Sequence, residues 1–288
     1  MNKIFIVGSI NTDLVITTPY MPKAGETLTG SGFFVAHGGK GANQTVAAAR
    51  LGGKVFMCGC VGDDEFGASS IKNFEKDGID VSHIRTIENV PTGTAVIIVE
   101  NGDNRIILDK GANAYLSKND IDNILEKAEV GDIYLTQLEN SVEVIGYGLQ
   151  KAKEKGMYVI LNPAPANKDI IPFLDYCDLI TPNEIEAEIL GGKDFLLSKC
   201  NKVLITLGGD GFSICDKEKE KHYNCIKITP VDTTAAGDTL CGGLVAKLSM
   251  GDTLASAALF GSRAASIACT KKGAQPSIPT LEEVENFL

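Results

Sequence analysis

Residues 132–161 read DIYLTQLENSVEVIGYGLQKAKEKGMYVIL. The apolar runs at the two ends of this stretch predict buried strands over residues 132–138 and 158–161. Between them, residues 142–155 have the apolar spacing of a helix, and Gly156 supplies the residue type that commonly ends one. A strand, a helix and a second strand in this order predict a βαβ unit, whose two strands run parallel in one sheet.

The same alternation extends along most of the chain. Further helices are predicted over residues 42–51, which end at a Gly-Gly pair, and over 117–129, which open with a capping-box pattern. Further compact strands rich in Val, Ile and Leu are predicted over residues 3–10, 55–61, 178–181 and 202–207. Such strands indicate a sheet that is covered by helices on both faces. The predicted fold class is therefore α/β, with three αβα layers around a mainly parallel central sheet.

Two regions, at about 14–36 and 93–109, have strand and turn patterns without a helix. In the second, two apolar runs flank Asn101-Gly102-Asp103, and Asn-Gly accepts the positive φ of a type I′ hairpin turn. We expect a small separate sheet that folds as a lid over the main domain. Two independent surface hairpins explain the pattern equally well.

The last third of the chain has a different composition. Strands are predicted over residues 212–216 and 223–228, followed by two helices rich in Ala and Gly over 237–250 and 253–269. A short terminal helix is predicted over 280–288, with Thr280 as its cap. Because no internal repeat or low-complexity tract interrupts the chain, we interpret residues 1–288 as one domain with the lid inserted in it.

The composition excludes several classes of function. The chain has 288 residues, 44% hydrophobic and 22% charged, and a formal net charge of −10. An acidic surface repels phosphate backbones and anionic lipids, so neither nucleic acid nor a membrane is expected as a partner. Eight cysteines without a C-x-x-C pair favour buried thiols in a reducing cytoplasm. No P-loop, G-x-G-x-x-G, H-E-x-x-H or G-x-S-x-G motif occurs.

Three clusters remain that could carry chemistry. Residues 38–43, GGKGAN, enter a helix, and their glycines permit close approach to a ligand; alone, the pattern fits a structural turn better. Residues 231–239, VDTTAAGDT, predict exposed main-chain N–H groups at a helix N-terminus, which suits a phosphoryl group, with Asp238 as a proton acceptor. An ordinary helix-start Asp would explain Asp238 but not the small residues before it. Residues 268–277 could supply carbonyls to a cation or border a nucleotide pocket, although a plain C-terminal loop is the simpler interpretation.

Taken together and in this order, these clusters resemble the ribokinase-like (PfkB) carbohydrate kinase family over nearly the whole chain. The matching segments are residues 8–13, 38–43, 162–165, 181–186, 206–211, 232–238 and 273–277. The resemblance implies ATP-dependent phosphorylation of a sugar's primary hydroxyl, with the 5-hydroxyl of D-ribose as the leading candidate. Deoxyribose, another sugar or a nucleoside is the alternative substrate, and a non-catalytic sugar-binding protein is a third hypothesis.

The resemblance also implies roles for individual residues. Asp238 would be the base, and the main chain of Ala235, Ala236 and Gly237 the anion hole. Sugar hydroxyls would be held by Asn11, Asp13, Gly38, Gly39, Lys40, Asn43, Glu139 and Asp238. ATP would be bound by Asn183, Thr206, Gly208, Gly211, Gly237 and Ser262, where Ser262 replaces the Asn or His that relatives tend to carry.

Two kinds of ion and a homodimer follow from the same resemblance. Glu186 would influence Mg²⁺ through water, as a hard cation allows. A monovalent cation, K⁺, would be held mostly through main-chain carbonyls by Asp232, Thr234, Ala268, Lys271, Gly273 and Ser277. The lid would also form the contact between two subunits.

Overall fold

The structure, a computed structural model, describes residues 1–101 and 103–287. Its strands are β1 (Ile4–Val7), β2 (Asn11–Thr18), β3 (Ser31–Gly38), β4 (Val55–Gly62), β5 (Asp80–Ile87), β6 (Gly93–Glu100), β7 (Asp103–Asp109), β8 (Ile133–Thr136), β9 (Tyr158–Leu161), β10 (Leu179–Ile180), β11 (Val203–Thr206), β12 (Phe212–Cys215) and β13 (Glu220–Tyr223). They form a nine-stranded sheet in the order β13-β12-β11-β10-β9-β8-β1-β4-β5 and a four-stranded sheet in the order β3-β2-β6-β7.

The α-helices are α1 (Lys40–Arg50), α2 (Glu65–Lys76), α3 (Lys118–Leu125), α4 (Val142–Glu154), α5 (Glu184–Ile189), α6 (Lys193–Lys199), α7 (Ala236–Ser249), α8 (Leu254–Ala268) and α9 (Leu281–Glu285). The capping boxes predicted at the starts of α3 and α9 are present, with Ser117 and Thr280 as the caps. Within the described residues, none of these helices has the length and apolar character that a membrane crossing requires.

The large sheet is parallel from β11 to β5 and antiparallel only at β12 and β13. The βαβ unit expected from residues 132–161 is confirmed, because β8 and β9 are parallel neighbours with Ile133 opposite Tyr158. Residues of β1 alternate between the two faces and are buried on both, since Phe5 packs in one hydrophobic cluster and Ile6 in the other. Helices α3 to α6 cover the first face, and α1, α2, α7 and α8 cover the second. The predicted three-layer α/β class is confirmed.

The two regions without helices form one small sheet, which consists of β2, β3, β6 and β7. Strands β2 and β6 pair in parallel along their whole length and join the two hairpins, so the alternative of independent hairpins is wrong. Asn101 has φ 52°, as expected for a hairpin turn, whereas Gly102 lies outside the described residues. The predicted strand 3–10 ends early: β1 stops at Val7, and after residues 8–10 the chain enters the small sheet at Asn11.

Three local predictions need correction. The strand predicted over 223–228 is wrong, since β13 ends at Tyr223 and the apolar residues after it line a cavity instead of pairing. Helix α2 and strand β5 were not predicted; the buried residues of α2 are Gly67, Ser70 and Phe74, of which only Phe74 has a large apolar side chain. The terminal helix ends at Glu285, and the last residue predicted in it, Leu288, lies outside the described residues.

Candidate active site

The candidate site lies at one edge of the large sheet. The carboxyl ends of parallel strands face the same edge, where open α/β sheets bind ligands. The segments that follow these ends are residues 8–10 after β1, 137–140 after β8, 162–165 after β9, 181–183 after β10 and 207–211 after β11. Helices α1 and α7 also begin at this edge of the sheet. Their first-turn residues Lys40 and Asp238 line the same 230 Å³ cavity.

Asp238 occupies the first turn of α7 and is 6% exposed. Its Oδ2 accepts a hydrogen bond from Asn43 Nδ2 at 3.0 Å, and its Oδ1 accepts one from Gln44 Nε2 at 2.9 Å. Both donors lie on α1, so the GGKGAN segment and the second cluster meet although almost 200 residues of sequence separate them. A buried carboxylate that is held through both oxygens and still lines a cavity is suited to accept a proton there.

The start of α7 is shaped by small residues. Ala235 caps the helix in the left-handed conformation, with φ 60°, and Thr239 donates to its carbonyl from both N and Oγ1 at 2.8 Å. A Cβ added at Gly237 would meet no described atom within 4 Å, so this position faces open space. Ala235, Ala236 and Gly237 all line the cavity of Asp238. First-turn N–H groups lack partners within their helix, so this start can bind an anion, although the Ala236 N–H also donates to the Thr233 carbonyl at 3.2 Å.

Lys40 brings a positive charge to the same cavity. The pKa of Lys40 is raised, chiefly by the charge of Asp238 and also by Glu139 and Glu186, although burial opposes the shift. Its main-chain N–H donates to Glu139 Oε2 at 3.1 Å, and Ser9 Oγ donates to the same oxygen. Lys40 is therefore a cation held among carboxylates, where it can attract a phosphate group.

Close backbone contacts explain two glycines of the first cluster. A Cβ at Gly38 would lie 2.3 Å from Asp13 Oδ2, and one at Gly39, where φ is 88°, would lie 2.8 Å from the main-chain nitrogen of Asn11. Any larger residue would push β2 away from α1. Asp13 is buried, and burial, followed by the charges of Glu139 and Asp238, raises its pKa to about 7.

Sequence reasoning missed several buried amides around these residues. Asn113 Nδ2 donates to Asn11 Oδ1 at 2.7 Å, and Asn113 Oδ1 accepts from the N–H of Ile10 at 2.9 Å. Gln44 lies directly after the GGKGAN segment, and Asn162 begins one of the matching segments, yet neither was assigned a role. Both had a usable signal: Gln44 lies one residue beyond a predicted site, and Asn162 lies within a matching segment.

The second cavity, of 440 Å³, lies on the other side of the α7 N-terminus. It shares Thr206, Thr233, Ala236 and Gly237 with the cavity of Asp238, so the two spaces meet at the proposed anion hole. Its lining combines a glycine loop with aliphatic side chains, and it includes the predicted nucleotide residues Thr206, Gly208, Gly211, Gly237 and Ser262. Asn183, also predicted to bind nucleotide, lines the smaller cavity instead.

The predicted monovalent-cation residues are only partly brought together. Asp232 Oδ1 accepts from Thr234 N and Oγ1 at 2.9 and 2.6 Å, and its Oδ2 accepts from Gly273 N at 2.9 Å. Burial alone would raise the pKa of Asp232, but these hydrogen bonds outweigh it and lower the pKa. Lys271 N donates to the Ala268 carbonyl at 3.0 Å, and Ser277 Oγ donates to the carbonyl of Ala274. Within the described residues, no hydrogen bond joins Ser277 to Asp232.

Glu186, predicted to act on Mg²⁺, lines the cavity of Asp238. It forms a capping box with Asn183: Asn183 N donates to Glu186 Oε2 at 2.9 Å, and Glu186 N donates to Asn183 Oδ1 at 2.8 Å. The described residues contain no cluster of three or more His, Cys, Asp or Glu side chains that could hold a metal by themselves. Any metal here would therefore take further ligands from water or substrate.

Comparisons with known proteins identify the family of this chain. A family model described as pfkB family carbohydrate kinase matches residues 1–281. The chain is 42% identical to the ribokinase of Haemophilus influenzae over 98% of this chain and 97% of that protein. Its structure is similar to that of Thermotoga maritima ribokinase, with 39% identity, a TM-score of 0.89 and coverage of 99% and 98% of the two chains. It is also similar to Arabidopsis thaliana ribokinase complexed with ribose and ATP, with 28% identity, a TM-score of 0.86 and coverage of 100% and 99%. This chain belongs to the pfkB family of carbohydrate kinases.

Proposed function

We propose that the protein transfers the γ-phosphoryl group of ATP to the 5-hydroxyl of D-ribose. The observation that carries the proposal is the position of Asp238, in a polar cavity that meets a larger, mainly aliphatic cavity at the N-terminus of α7. A nucleotide in the second cavity would direct its terminal phosphate past Gly237 into the first, where Asp238 would meet the hydroxyl of a sugar held by neighbouring residues such as Asn43 and Asp13. The ribose and ATP named for the Arabidopsis relative support these two ligands.

The chemistry follows from the groups at this junction. Asp238 accepts the proton of the 5-hydroxyl, the alkoxide oxygen attacks the γ-phosphorus, and the bond to the β-phosphate oxygen breaks to release ADP. The N–H groups at the start of α7 stabilise the charge on the transferring group, as does the Lys40 ammonium. Holding both substrates in line supplies much of the remaining rate enhancement.

An unpaired polar atom beside Asp238 supports a polyol as the ligand that borders the smaller cavity. Asn43 Oδ1 is buried and has no hydrogen-bond partner within the described part of the chain, while Asn43 Nδ2 is already bound to Asp238. A buried acceptor without a partner is costly, and a sugar hydroxyl that donates to it would remove that cost. The ionised form of Asp13 would accept further hydroxyls from the same ligand.

We place Mg²⁺ at Glu186 and K⁺ at the loop around Asp232. The Oε2 atom of Glu186 caps α5, which leaves Oε1 for a hydrated Mg²⁺, an ion that prefers oxygen ligands and keeps its waters. Bound Mg²⁺ would neutralise charge on the nucleotide phosphates. The carboxylate of Asp232 and nearby main-chain carbonyls are the donor types that suit K⁺.

We also propose that two subunits associate through the small sheet, which would act as the lid. Its edge strands expose consecutive apolar residues, including Phe33 at 63%, Ile106 at 60% and Ile107 at 66%. Consecutive exposure means that both faces of these strands are uncovered, an arrangement that favours a partner of the same kind. A double variant that carries both Phe33→Ser and Ile107→Ser should shift the mass measured by light scattering from that of a dimer to that of a monomer. Unchanged mass would remove the small sheet from the contact.

The cytoplasmic location stays a prediction. All eight cysteines are free thiols, and six of them are buried, as expected in a reducing compartment.

Coupled ADP-release kinetics across a sugar panel test the function. D-Ribose should give the highest kcat/KM, above 2-deoxy-D-ribose, D-fructose and adenosine, with Mg²⁺ present throughout. A higher kcat/KM for another member would reassign the substrate, and ribose binding without ADP release would indicate a non-catalytic protein. Repeating the series in K⁺, Na⁺ and tetramethylammonium tests the cation site, where K⁺ should give the highest rate.

A further inference from the structure

We propose that Gln44 is a positioning residue for Asp238, held in place by a buried chain of amides that runs from Gln137 to Thr181. The proposal rests on the function given to Asp238 above. It concerns Gln44 and Gln137, which line neither cavity, and Asn162 and Thr181, which border the cavity of Asp238.

The chain of amides is continuous. Gln137 Nε2 donates to Gln44 Oε1 at 2.6 Å, and Gln44 Nε2 donates to Asp238 Oδ1 at 2.9 Å and to Asn162 Oδ1 at 3.2 Å. Asn162 Nδ2 in turn donates to the main-chain oxygen of Thr181 at 2.9 Å. Gln44 therefore contacts three groups, brought from the ends of β8, β9 and the start of α7.

The direction of these hydrogen bonds is determined by two groups that can only accept. The Thr181 carbonyl requires the nitrogen of Asn162, so the oxygen of Asn162 must face Gln44. Gln44 must then present its nitrogen to Asn162 and to the Asp238 carboxylate, which leaves its oxygen for Gln137. A flipped amide at Gln44 would place an oxygen against two other oxygens. The network accordingly allows Gln44 a single orientation.

Burial makes this orientation matter for Asp238. Gln44 is 0% exposed, and it is not among the residues that line either cavity. Water cannot readily replace its hydrogen bond, so loss of the donor would leave one carboxylate oxygen free to turn. A neutral amide also orients a carboxylate. A second cation in its place would lower the proton affinity of the carboxylate more than the amide does. Gln44 thus acts on the reaction through the cavity residues that it holds, chiefly Asp238 and also Asn162.

The test is Gln44→Met, which keeps the length of the side chain and removes its donor. We expect kcat to fall about 10-fold or more while the KM values for sugar and ATP change less than about threefold. The acidic limb of the kcat profile should also move to higher pH, because a carboxylate that loses a hydrogen-bond donor holds its proton more tightly. The other ionisable groups that face Asp238 are Lys40, Asp13, Glu186 and Cys241, and the substitution leaves all of them in place.

Two further variants separate positioning from stability. Thr45→Val is the matched control, since Thr45 is equally buried on α1 but donates to Met57 Sδ instead of Asp238. It should lower the melting temperature without moving the pH profile. Gln137→Met keeps Gln44 and removes only the donor that orients it, so it should give a smaller shift of the same sign even if Gln44→Met fails to fold.

The outcomes are distinguishable from failure of the proposed function. Suppose that the wild-type enzyme is active and that Gln44→Met has the same pH profile as wild type. That result would overturn the role of Gln44 alone, and if Gln44→Met does not fold, an unchanged profile in Gln137→Met would do the same. A wild-type protein that phosphorylates no sugar would overturn both proposals. A pH profile that moves equally in Thr45→Val would reduce Gln44 to a structural residue.

Discussion

The two cavities that meet at the start of α7 bind by different means. The cavity of 230 Å³, on the side where we propose that the sugar meets Asp238 (called the sugar side below), is lined by ionisable side chains, among them Lys40, Glu186 and Asp238. The cavity of 440 Å³ on the nucleotide side is lined by the glycine loop 208–211 and by aliphatic residues such as Ile228 and Leu240. Side-chain chemistry therefore dominates on one side, and backbone shape with apolar contact dominates on the other.

This difference predicts where substitutions matter. On the sugar side each charged group faces others, so removing one changes the electrostatics of the rest. On the nucleotide side the lining consists mainly of glycines and aliphatic side chains, which a substitution alters chiefly through its volume. Activity should therefore be sensitive to polar substitutions on the first side and mainly to added volume on the second.

The largest effect is expected for Asp238→Asn. Loss of the proton acceptor should lower kcat by about 10²–10⁴-fold, the usual contribution of general base catalysis. The KM values should change little, because the new amide fills the same space, keeps an oxygen for the Gln44 donor, and can pair its nitrogen with Asn43 once that side chain reorients. Steady-state ADP release measures both quantities. A variant with near-normal kcat would contradict the role of Asp238 and the side-chain character of this cavity.

The next largest effect is expected for Gly237→Ala, at the junction. No described atom lies within 4 Å of an added Cβ at Gly237 or at Gly209, so neither substitution strains the fold. The methyl group at 237 would intrude on the transferring phosphate and should lower kcat by about 10²-fold, the scale of a damaged oxyanion hole.

Gly209→Ala is the matched control for this prediction. It adds the same methyl group to the same cavity but away from α7, and it should raise the KM for ATP while kcat stays unchanged. Equal kcat in both variants would mean that the start of α7 does not contact the transferred group.

A smaller effect, with a distinct pH dependence, is expected at Asp13. Its raised pKa, about 7, means that the free protein must release a proton before the carboxylate can accept sugar hydroxyls. The kcat/KM for the sugar should therefore rise between about pH 6 and pH 8, since that ratio reports the free enzyme. Asp13→Asn should flatten this rise and raise the KM for sugar about 10-fold, as expected for loss of hydrogen bonds to a charged group.

The same variant, Asp13→Asn, should be more stable than wild type at high pH, although it binds sugar less well. Because the folded apo protein holds the Asp13 proton more tightly than the unfolded chain, ionisation of Asp13 costs stability as pH rises through about 7. The variant should therefore melt at a higher temperature than wild type at about pH 8 and at a similar temperature at about pH 4. A lower melting temperature at the higher pH would contradict the burial of that charge.

The smallest effect is expected for Ser262→Ala on the nucleotide side. Ser262 lines the aliphatic cavity, and the change removes one hydroxyl without adding volume. The KM for ATP should change by less than about threefold, as for substitutions that remove no critical contact. A change of tenfold or more would show that the nucleotide side depends on side chains as well.

The main elements could be predicted from the sequence because the signals for each element lie in residues that are close together along the chain. The βαβ alternation, the caps at Ser117 and Thr280 and the hairpin 93–109 each depend on neighbouring residues, and the structure contains all of them. A strand was wrongly predicted over 223–228 because an apolar segment that lines a cavity can have the same alternation of apolar and polar residues as a strand. The exposed apolar edges of the small sheet could not be recognised, because a strand sequence does not tell which of its faces will be covered.

The clusters of glycines and small residues, and the acidic residue among them, could be identified in the chain itself, since each is a local motif with its own chemistry. The place in the fold where these clusters meet could not be identified from the sequence. Asp238 and Gln44 lie 194 positions apart, and Gln44 and Asn162 lie 118 apart, yet they are in hydrogen-bond contact. Such contacts arise only when parallel strands bring their carboxyl ends to one edge and two helices begin beside them. The raised pKa of Asp13 and the single orientation of Gln44 likewise depend on burial among distant neighbours, which only the tertiary structure decides.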